Sequence, residues 1–264
     1  MISTTDQLGN TIQINFPPKR IVSLVPSQTE LLFDLGLDEE LVGITRFCIH
    51  PKEKVSTKEK IGGTKQFNIE KIKALQPDLI IGNKEENYAE GIAELQKRFP
   101  VWMSDIFTLD DAYKMMQDVA SISNRKEEGD KIMEEIKSAF SLLPSVNRQL
   151  PTVAYFIWRK PYMVAAKNTF IHSMLEVFGV KNVFEDLARY PELSLDALSE
   201  HKPDFIFLSS EPYSFSEKHF DEFKAISPTS NIVGVDGEMF SWYGSRLRYT
   251  AEYFAVLRKN LGLK

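Results

Sequence analysis

NIEKIKALQPDLIIG (residues 68–82) recurs as SLDALSEHKPDFIFL (residues 194–208), and the two segments align without a gap. Pro77 falls opposite Pro203, Asp78 opposite Asp204 and Ile80 opposite Ile206, while Asn68/Ser194, Ile69/Leu195, Glu70/Asp196 and Ile72/Leu198 are conservative matches. Each copy reads as a helix N-cap, one or two amphipathic turns, a Pro-Asp break and a buried strand. A segment of this complexity written twice implies two related halves, each an α/β unit. Two lobes make a cleft, a common place to hold a small ligand.

Upstream, IVSLV (21–25) is a short apolar run ended by Pro26, which predicts a buried strand. Ser27-Gln28-Thr29-Glu30 fits a capping box and Gly36 a C′ stop, so a helix follows directly, as in the first unit of a parallel sheet. Further strands are expected near Val42–Thr45, Leu79–Ile81 and Val101–Ser104. Thr108 to Asp111 is a second capping box. From there Ala112, Tyr113, Met116, Ala120, Ile132, Ile136 and Phe140 keep helical spacing toward Leu143, and one long helix or two joined ones both fit, with Asn124 and Gly129 inside the stretch. Because it lies between the repeated halves it is the expected connector, and a helix restrains lobe motion more than a loop does.

TVAYFIW (152–158) opens the second half as IVSLV opens the first, and HSMLEVFGV (172–180) parallels TELLFDLGL (29–37). Strands follow at Phe205–Leu208 and Ile232–Val235, and Leu247–Leu261 reads as a closing amphipathic helix. The expected fold is therefore α/β, with two pseudo-symmetric lobes of mainly parallel sheet joined by a long rigid helix. The expected division is an N-terminal lobe at 1–105, a connecting helix at 106–148 and a C-terminal lobe at 149–264.

A chain of 264 residues with 43% hydrophobic content supports a substantial core. The net charge of −5, without a run of five or more like charges, argues against a nucleic-acid partner, which needs a clustered basic footprint. Cys48 is the single cysteine, which rules out an intrachain disulfide framework and a four-cysteine zinc or iron–sulfur site. No stretch approaches the roughly 20 apolar residues of a spanning helix. The opening MISTTDQLGNTIQINF lacks a basic segment followed by an apolar one, so no secretory signal is visible. Either a leader has been removed or the native chain has none.

In open parallel sheets ligands sit beyond the carboxyl ends of the strands, so the residues after each strand are the candidates for chemistry. The first strand is followed by Pro26, Ser27 and Gln28 at a helix start, whose N–H groups suit an anionic or carbonyl oxygen. The second is followed by Arg46, Phe47, Cys48 and His50, the third by Asn83 and Lys84, and the loop before the repeated helix offers Thr64 and Lys65. In the second half TVAYFIW runs through Trp158 into Arg159 and Tyr162, and the last strand leads to Trp242, Tyr243 and Arg246. Aromatic faces with guanidinium groups suit a large, partly planar, partly anionic ligand. Each aromatic taken singly fits loop packing equally well. His50 is the one histidine placed near the crevice, a candidate axial ligand to a metal; His201 reads as a helix-face residue, His219 as surface and His172 as helix start. No GxSxG, GxxxxGK[ST], HExxH or CxxC occurs, so no catalytic residue is assigned and the chain does not read as an enzyme.

Glu70 and Asp196 both fall at the second position of a helix capped by Asn68 or Ser194, where a carboxylate gains about 0.3–1 kcal/mol from the helix dipole. The alternative role is docking: two lobes each present one carboxylate to arginine pockets on a symmetric partner.

PPKRIVSLVPSQTELLFDLGL (17–37), GGTKQFNIEKIKALQPDLIIGN (62–83), the mid-chain helix and the second PDFIF together resemble the helical-backbone substrate-binding proteins of ABC importers, which take up cobalamin, ferric siderophores and haem. The resemblance runs from about Asp6 to the C-terminal helix and is strongest to the cobalamin-binding branch. Phe47 matches that branch's aromatic after the second strand, and Trp242 with Tyr243 its aromatic pair in the C-terminal loop. Departures are Thr64 and Lys65, and again Asn83, where the cobalamin binders carry tryptophan. Arg46, Lys65, Arg159 and Arg246 instead favour an anionic ligand such as a ferric siderophore. The resemblance implies that Glu70 and Asp196 dock on an ABC permease in the membrane, that the chain works as a monomer in the periplasm or at the cell surface, and that the inter-lobe cleft binds a metal chelate, with no cofactor beyond it. The expected function is capture and delivery of cobalamin or another corrinoid. The alternatives are ferric-siderophore or haem binding, and a cytosolic protein or enzyme that handles corrinoids or iron complexes.

Overall fold

The computed structural model describes residues 1–144 and 150–263, with only the backbone described at Leu195 and Asp196. Contacts group the chain into two units. Unit 1 holds Met1–Ile106, Asp110–Ser138 and Tyr243–Arg248, and unit 2 holds Phe107–Leu109, Ala139–Trp242 and Tyr249–Lys264. The grouping is discontinuous, where the sequence suggested three consecutive stretches, and the expected 148/149 boundary lies outside the described residues.

Unit 1 opens with an antiparallel hairpin, β1 (Ile2–Thr5) and β2 (Thr11–Ile14). There follow β3 (Ile21–Ser23), α1 (Pro26–Asp34), β4 (Leu41–Ile44), α2 (Lys52–Val55), β5 (Glu59–Lys60), α3 (Ile69–Leu75), β6 (Leu79–Asn83), α4 (Ala89–Gln96) and β7 (Val101–Ser104). The five later strands form one all-parallel sheet in the order β5-β4-β3-β6-β7. Helices α5 (Leu109–Ile122) and α6 (Lys126–Ser141) complete this part of the chain. Every residue of β3, β6 and β7 is buried, as expected for strands covered on both faces.

Unit 2 contains β8 (Thr152–Trp158), β9 (Tyr162–Val164), α7 (Phe170–Phe178), β10 (Lys181–Asn182), β11 (Glu192–Leu193), α8 (Leu195–His201), β12 (Phe205–Ser209), α9 (Phe220–Ile226), β13 (Asn231–Val235) and α10 (Glu238–Ser241). It also contains α11 (Leu247–Asn260) from Tyr249 onward. Its sheet runs β11-β9-β8-β12-β13, with β10 beside β8; β9 and β11 are antiparallel to their neighbours and the rest are parallel. The hairpin β1–β2 and the short antiparallel pair β9–β11 were not foreseen.

The two copies of the repeat fold alike down to their caps. Asn68 Oδ1 accepts from the N–H of Lys71 at 2.9 Å and Ser194 Oγ from that of Ala197 at 3.3 Å. The helices then end on left-handed residues, Gln76 at φ 46° and Lys202 at φ 44°. The repeated aspartates do more than begin a strand. Asp78 accepts from the N–H groups of Lys19 and Arg20 at 2.8 Å each, and its own N–H returns to the Arg20 carbonyl at 2.9 Å. Asp204 accepts from the N–H and hydroxyl of Thr152 at 2.7 Å each, and its N–H returns to that hydroxyl at 2.9 Å. Each aspartate thereby ties the start of its own strand to the start of the neighbour that opens the half, β6 to β3 and β12 to β8.

Two local expectations are corrected. α1 starts two residues early, with Pro26 at its first position and Val25 at the N-cap without a side-chain cap, so Ser27 does not cap it. Proline at that position loses nothing, because its missing N–H would be unpaired anyway. The Glu30 carboxylate, expected to reach back to Ser27, goes instead to Arg246. Of the two readings open for the mid-chain stretch, two joined helices is the one formed, in place of the long rigid helix of the expected fold. Asn124 adopts φ 59° between α5 and α6, a conformation Asn tolerates better than most residues. Gly129 then lets α6 approach α5, since a Cβ there would meet the Ala120 Cβ at 2.4 Å.

Replacing Asp78 by alanine leaves the N–H groups of Lys19 and Arg20 without their acceptor. It is expected to cost about 1–2 kcal/mol in chemical denaturation, given the partial exposure of the site. Asp78→Asn, which keeps one acceptor, should lose less; equal stability of all three chains would remove the aspartate from its role in register.

Candidate functional site

At the carboxyl edge of the unit 1 sheet lies a buried polar scaffold. Gln28 Nε2 and Asn83 Nδ2 both donate to Ser104 Oγ, at 2.6 and 2.9 Å. Asn83 Oδ1 accepts from the N–H groups of Glu85 and Glu86, and Asn87 Nδ2 donates to the carbonyls of Leu24 and Thr64 at 3.1 Å each. Thr29 donates to Ser23 Oγ at 2.8 Å and receives the Cys48 thiol at 3.2 Å. Burial pushes that thiol up from its ordinary pKa, which keeps it protonated. Buried polar groups bonded to one another in this way hold the loops beyond the strands in one arrangement. Of the predicted contacts at the start of α1, Pro26 is half-buried, Ser27 is buried, and Gln28 is buried within this scaffold.

Glu30 and Arg246 form a bidentate pair, Nε to Oε2 at 2.8 Å and Nη2 to Oε1 at 2.6 Å, with both residues buried. Burial pushes the Glu30 carboxyl up, against the hydrogen bond and charge of Arg246, which pull it down. Arg248 pairs with Asp34, and Gly244 lies so close to α1 that a Cβ would come within 2.9 Å of the Ser27 carbonyl oxygen. Residues 243–248 are thus bolted onto α1 within unit 1. Arg246 and Tyr243, expected as ligand contacts, are both buried.

The accessible side chains of unit 1 are elsewhere. Arg46 and Phe47 follow β4 and are both exposed, Phe47 by 51%. The Arg46 guanidinium lies over the Phe47 ring, 5.0 Å from its centroid. Thr64 is half-buried, Lys65 is exposed with its ammonium on the Glu85 carbonyl, and His50 is half-buried. Glu70 sits at the second position of α3 with its side chain 81% exposed, paired with Lys73 at 2.9 Å. The side chain of Asp196, its expected counterpart, lies outside the described residues.

In unit 2, Trp158 ends β8 with 39% exposure, edge-on to Tyr213 at 5.7 Å between centroids. Tyr213 is backed in turn by Phe215 and His219, and its hydroxyl lies 3.2 Å from His219 Nε2. Arg159 is engaged by Glu222, at 2.9 Å from Nε and 2.8 Å from Nη2. Tyr162 is not a loop residue but the first residue of β9, packed against Phe156 and Phe223. Trp242 is buried, its indole N–H on Glu211 Oε1 at 2.9 Å, an oxygen that also accepts from Ser241 at 2.6 Å. Burial pushes the Glu211 carboxyl up, as do the charges of Glu238 and Asp236, against the hydrogen bonds from Ser241 and Trp242.

His219, read as a surface residue, is buried: its Nδ1 accepts from the N–H of Ser216 at 3.0 Å. Tyr213 and Glu211 were not singled out. The signal was available, because Glu211 and Tyr213 follow β12 as Glu85 and Asn87 follow β6 in the first copy of the repeat. Among the described residues, no group of three or more His, Cys, Asp or Glu is placed to hold a metal ion, and no helix is long and apolar enough to cross a membrane.

Residues 21–229 match the family model described as periplasmic binding protein. The chain is 28% identical over 200 residues to the vitamin B12-binding protein of Vibrio parahaemolyticus, covering 74% of this chain and 72% of that one. It is 25% identical over 261 residues to the uncharacterized ABC transporter substrate-binding lipoprotein YvrC of Bacillus subtilis, covering 93% and 82%. Among solved structures, the fold is shared with the periplasmic haem-binding protein RhuT of Roseiflexus sp. RS-1, at a TM-score of 0.77 and 23% identity over 90% of this chain and 97% of that one.

Breaking the Glu30–Arg246 pair from one side should be costly. Arg246→Met leaves a buried carboxylate without its cation and is expected to lose about 3–5 kcal/mol, read from the guanidinium chloride midpoint. Adding Glu30→Gln should recover most of that loss, and a double variant as unstable as the single one would show that the pair is not what the site depends on.

Proposed function

The chain belongs to the periplasmic binding protein family, and we propose that it is the substrate-binding component of an ABC importer that captures a metal chelate, cobalamin or another corrinoid foremost, and delivers it unaltered to a permease. The observation that carries this reading is that each unit exposes an aromatic side chain beyond a strand, Phe47 after β4 and Trp158 at the end of β8. Such side chains cover flat, apolar macrocycle surface and lose little conformational entropy in doing so. The vitamin B12-binding relative supports a corrinoid, and the B. subtilis relative supports work outside the cytoplasm, in the periplasm or on the cell surface. The chain acts as a monomer in this reading. Proteins of this family are binding components of transport systems, and the proposed role contains no catalytic step.

A ferric siderophore or haem is the second reading. It is favoured by the exposed guanidinium of Arg46, and by Thr64, Lys65 and the buried Asn83 at positions where the cobalamin binders carry tryptophan. Glu70 docks on the permease. Its carboxylate is exposed on the first turn of a helix, and an arginine on the partner competes with Lys73 for it.

Calorimetric titration with cyanocobalamin, haem and ferric siderophores should find one ligand bound at micromolar or lower concentration. Phe47→Ala and Trp158→Ala should each weaken it about tenfold; unchanged affinity in both would displace the site from these loops. Glu70→Ala should leave ligand affinity intact and reduce binding to permease-containing nanodiscs, most clearly at low salt. Docking that survives the substitution unchanged at every ionic strength would defeat the assignment of Glu70.

A further inference from the structure

We propose that Arg46, held over Phe47 and supported by Gly63, reads an oxyanion on the ligand, a phosphate diester or a carboxylate carried by a large planar chelate, and so sets the charge class this protein accepts. The inference rests on the chelate-binding reading and goes further, assigning one group on the ligand to one residue.

Three observations carry it. The cations that sequence pattern places at the site have different fates. Arg246 is spent on Glu30, Arg159 on Glu222, and the Lys65 ammonium on the Glu85 carbonyl, whereas the Arg46 guanidinium has no hydrogen-bond or ion-pair partner among the described residues. Arg46 is also exposed at the loop after β4, where a ligand can reach it. Gly63 leaves room for the pair: a Cβ there would crowd Phe47 Cε2 at 3.0 Å and would stand 3.6 and 3.7 Å from Arg46 Nε and Nη2. The Arg46 N–H is bonded to the Gly62 carbonyl at 2.8 Å, so the two loops are tied together beneath the ring. A guanidinium over a ring keeps the donors of its edge for a planar oxyanion, a fit that a lysine ammonium does not reproduce.

The test compares ligands in pairs that differ in the oxyanion. Cyanocobalamin is set against dicyanocobinamide, which lacks the phosphate-bearing loop, and haem, with its two carboxylates, against its dimethyl ester, with a neutral ferric trihydroxamate as a further chelate. Affinities of the whole protein are measured by calorimetry for the unsubstituted chain, Arg46→Gln, Arg46→Lys and Gly63→Ala. Arg46→Gln should weaken the oxyanion-bearing ligand roughly 10- to 100-fold and change its counterpart less than about twofold. Arg46→Lys should fall between, and Gly63→Ala should weaken the same ligand in the same direction. The pair in which the difference appears identifies phosphate or carboxylate as the group read. Equal weakening of both members of a pair, or of neither, overturns the inference while the chelate-binding reading stands. Failure of the unsubstituted chain to bind any of the five overturns both. Because Arg46 lies at the surface, Arg46→Gln keeps its fold and decides the matter even if Gly63→Ala does not.

Discussion

Two parallel strands have no hairpin between them, so the turn that sets register in an antiparallel pair is missing. Here the usual substitute is missing as well. Where one face of a strand is polar, a slip of one residue exposes the apolar face and is punished. β3, β6 and β12 are buried along their whole length, with apolar residues pointing both ways, so a slipped pairing would bury much the same surface. The aspartates at 78 and 204 supply the missing discrimination, because their carboxylates meet the N–H groups at the start of the neighbouring strand in one register only. The loops at the far ends of those strands, including the one that presents Trp158, are aimed by that choice.

Much of this was legible from local pattern. The central parallel strands, the caps at Asn68 and Ser194 and the stop at Gly36 all follow from signals within a few residues of where they act. Long-range events were not legible. Glu30 has the right spacing to close a capping box on Ser27, and nothing nearby in sequence says that it will instead meet Arg246. The short strands β5, β10 and β11 have two residues each, too few for any periodicity to register. The break between α5 and α6 rests on one asparagine whose left-handed conformation is permitted, not required.

The candidate site divides along the same line. Which residues lie beyond strand ends follows from the order of elements, and Phe47 and Trp158 are found there, exposed. Whether a side chain is available once it arrives depends on partners that no local pattern reveals. Trp158 and Trp242 are the same residue type, one ending β8 and the other following β13 and α10. One is exposed, and the other is buried with its N–H on Glu211. Arg46 and Arg246 differ in the same way, and the difference is a glutamate on α1.

The segment 243–248 carries a consequence for the ancestry of the molecule. Duplication of a half-length unit would produce two self-contained copies, each closing its own core. Here the first unit takes Tyr243–Arg248 from chain that follows the second unit's last strand, and with it the arginine that neutralises the buried Glu30. A fragment ending before the second half would enclose the Glu30 carboxylate without its bidentate arginine. The two halves are therefore not interchangeable modules, because the first is completed by residues encoded after the second.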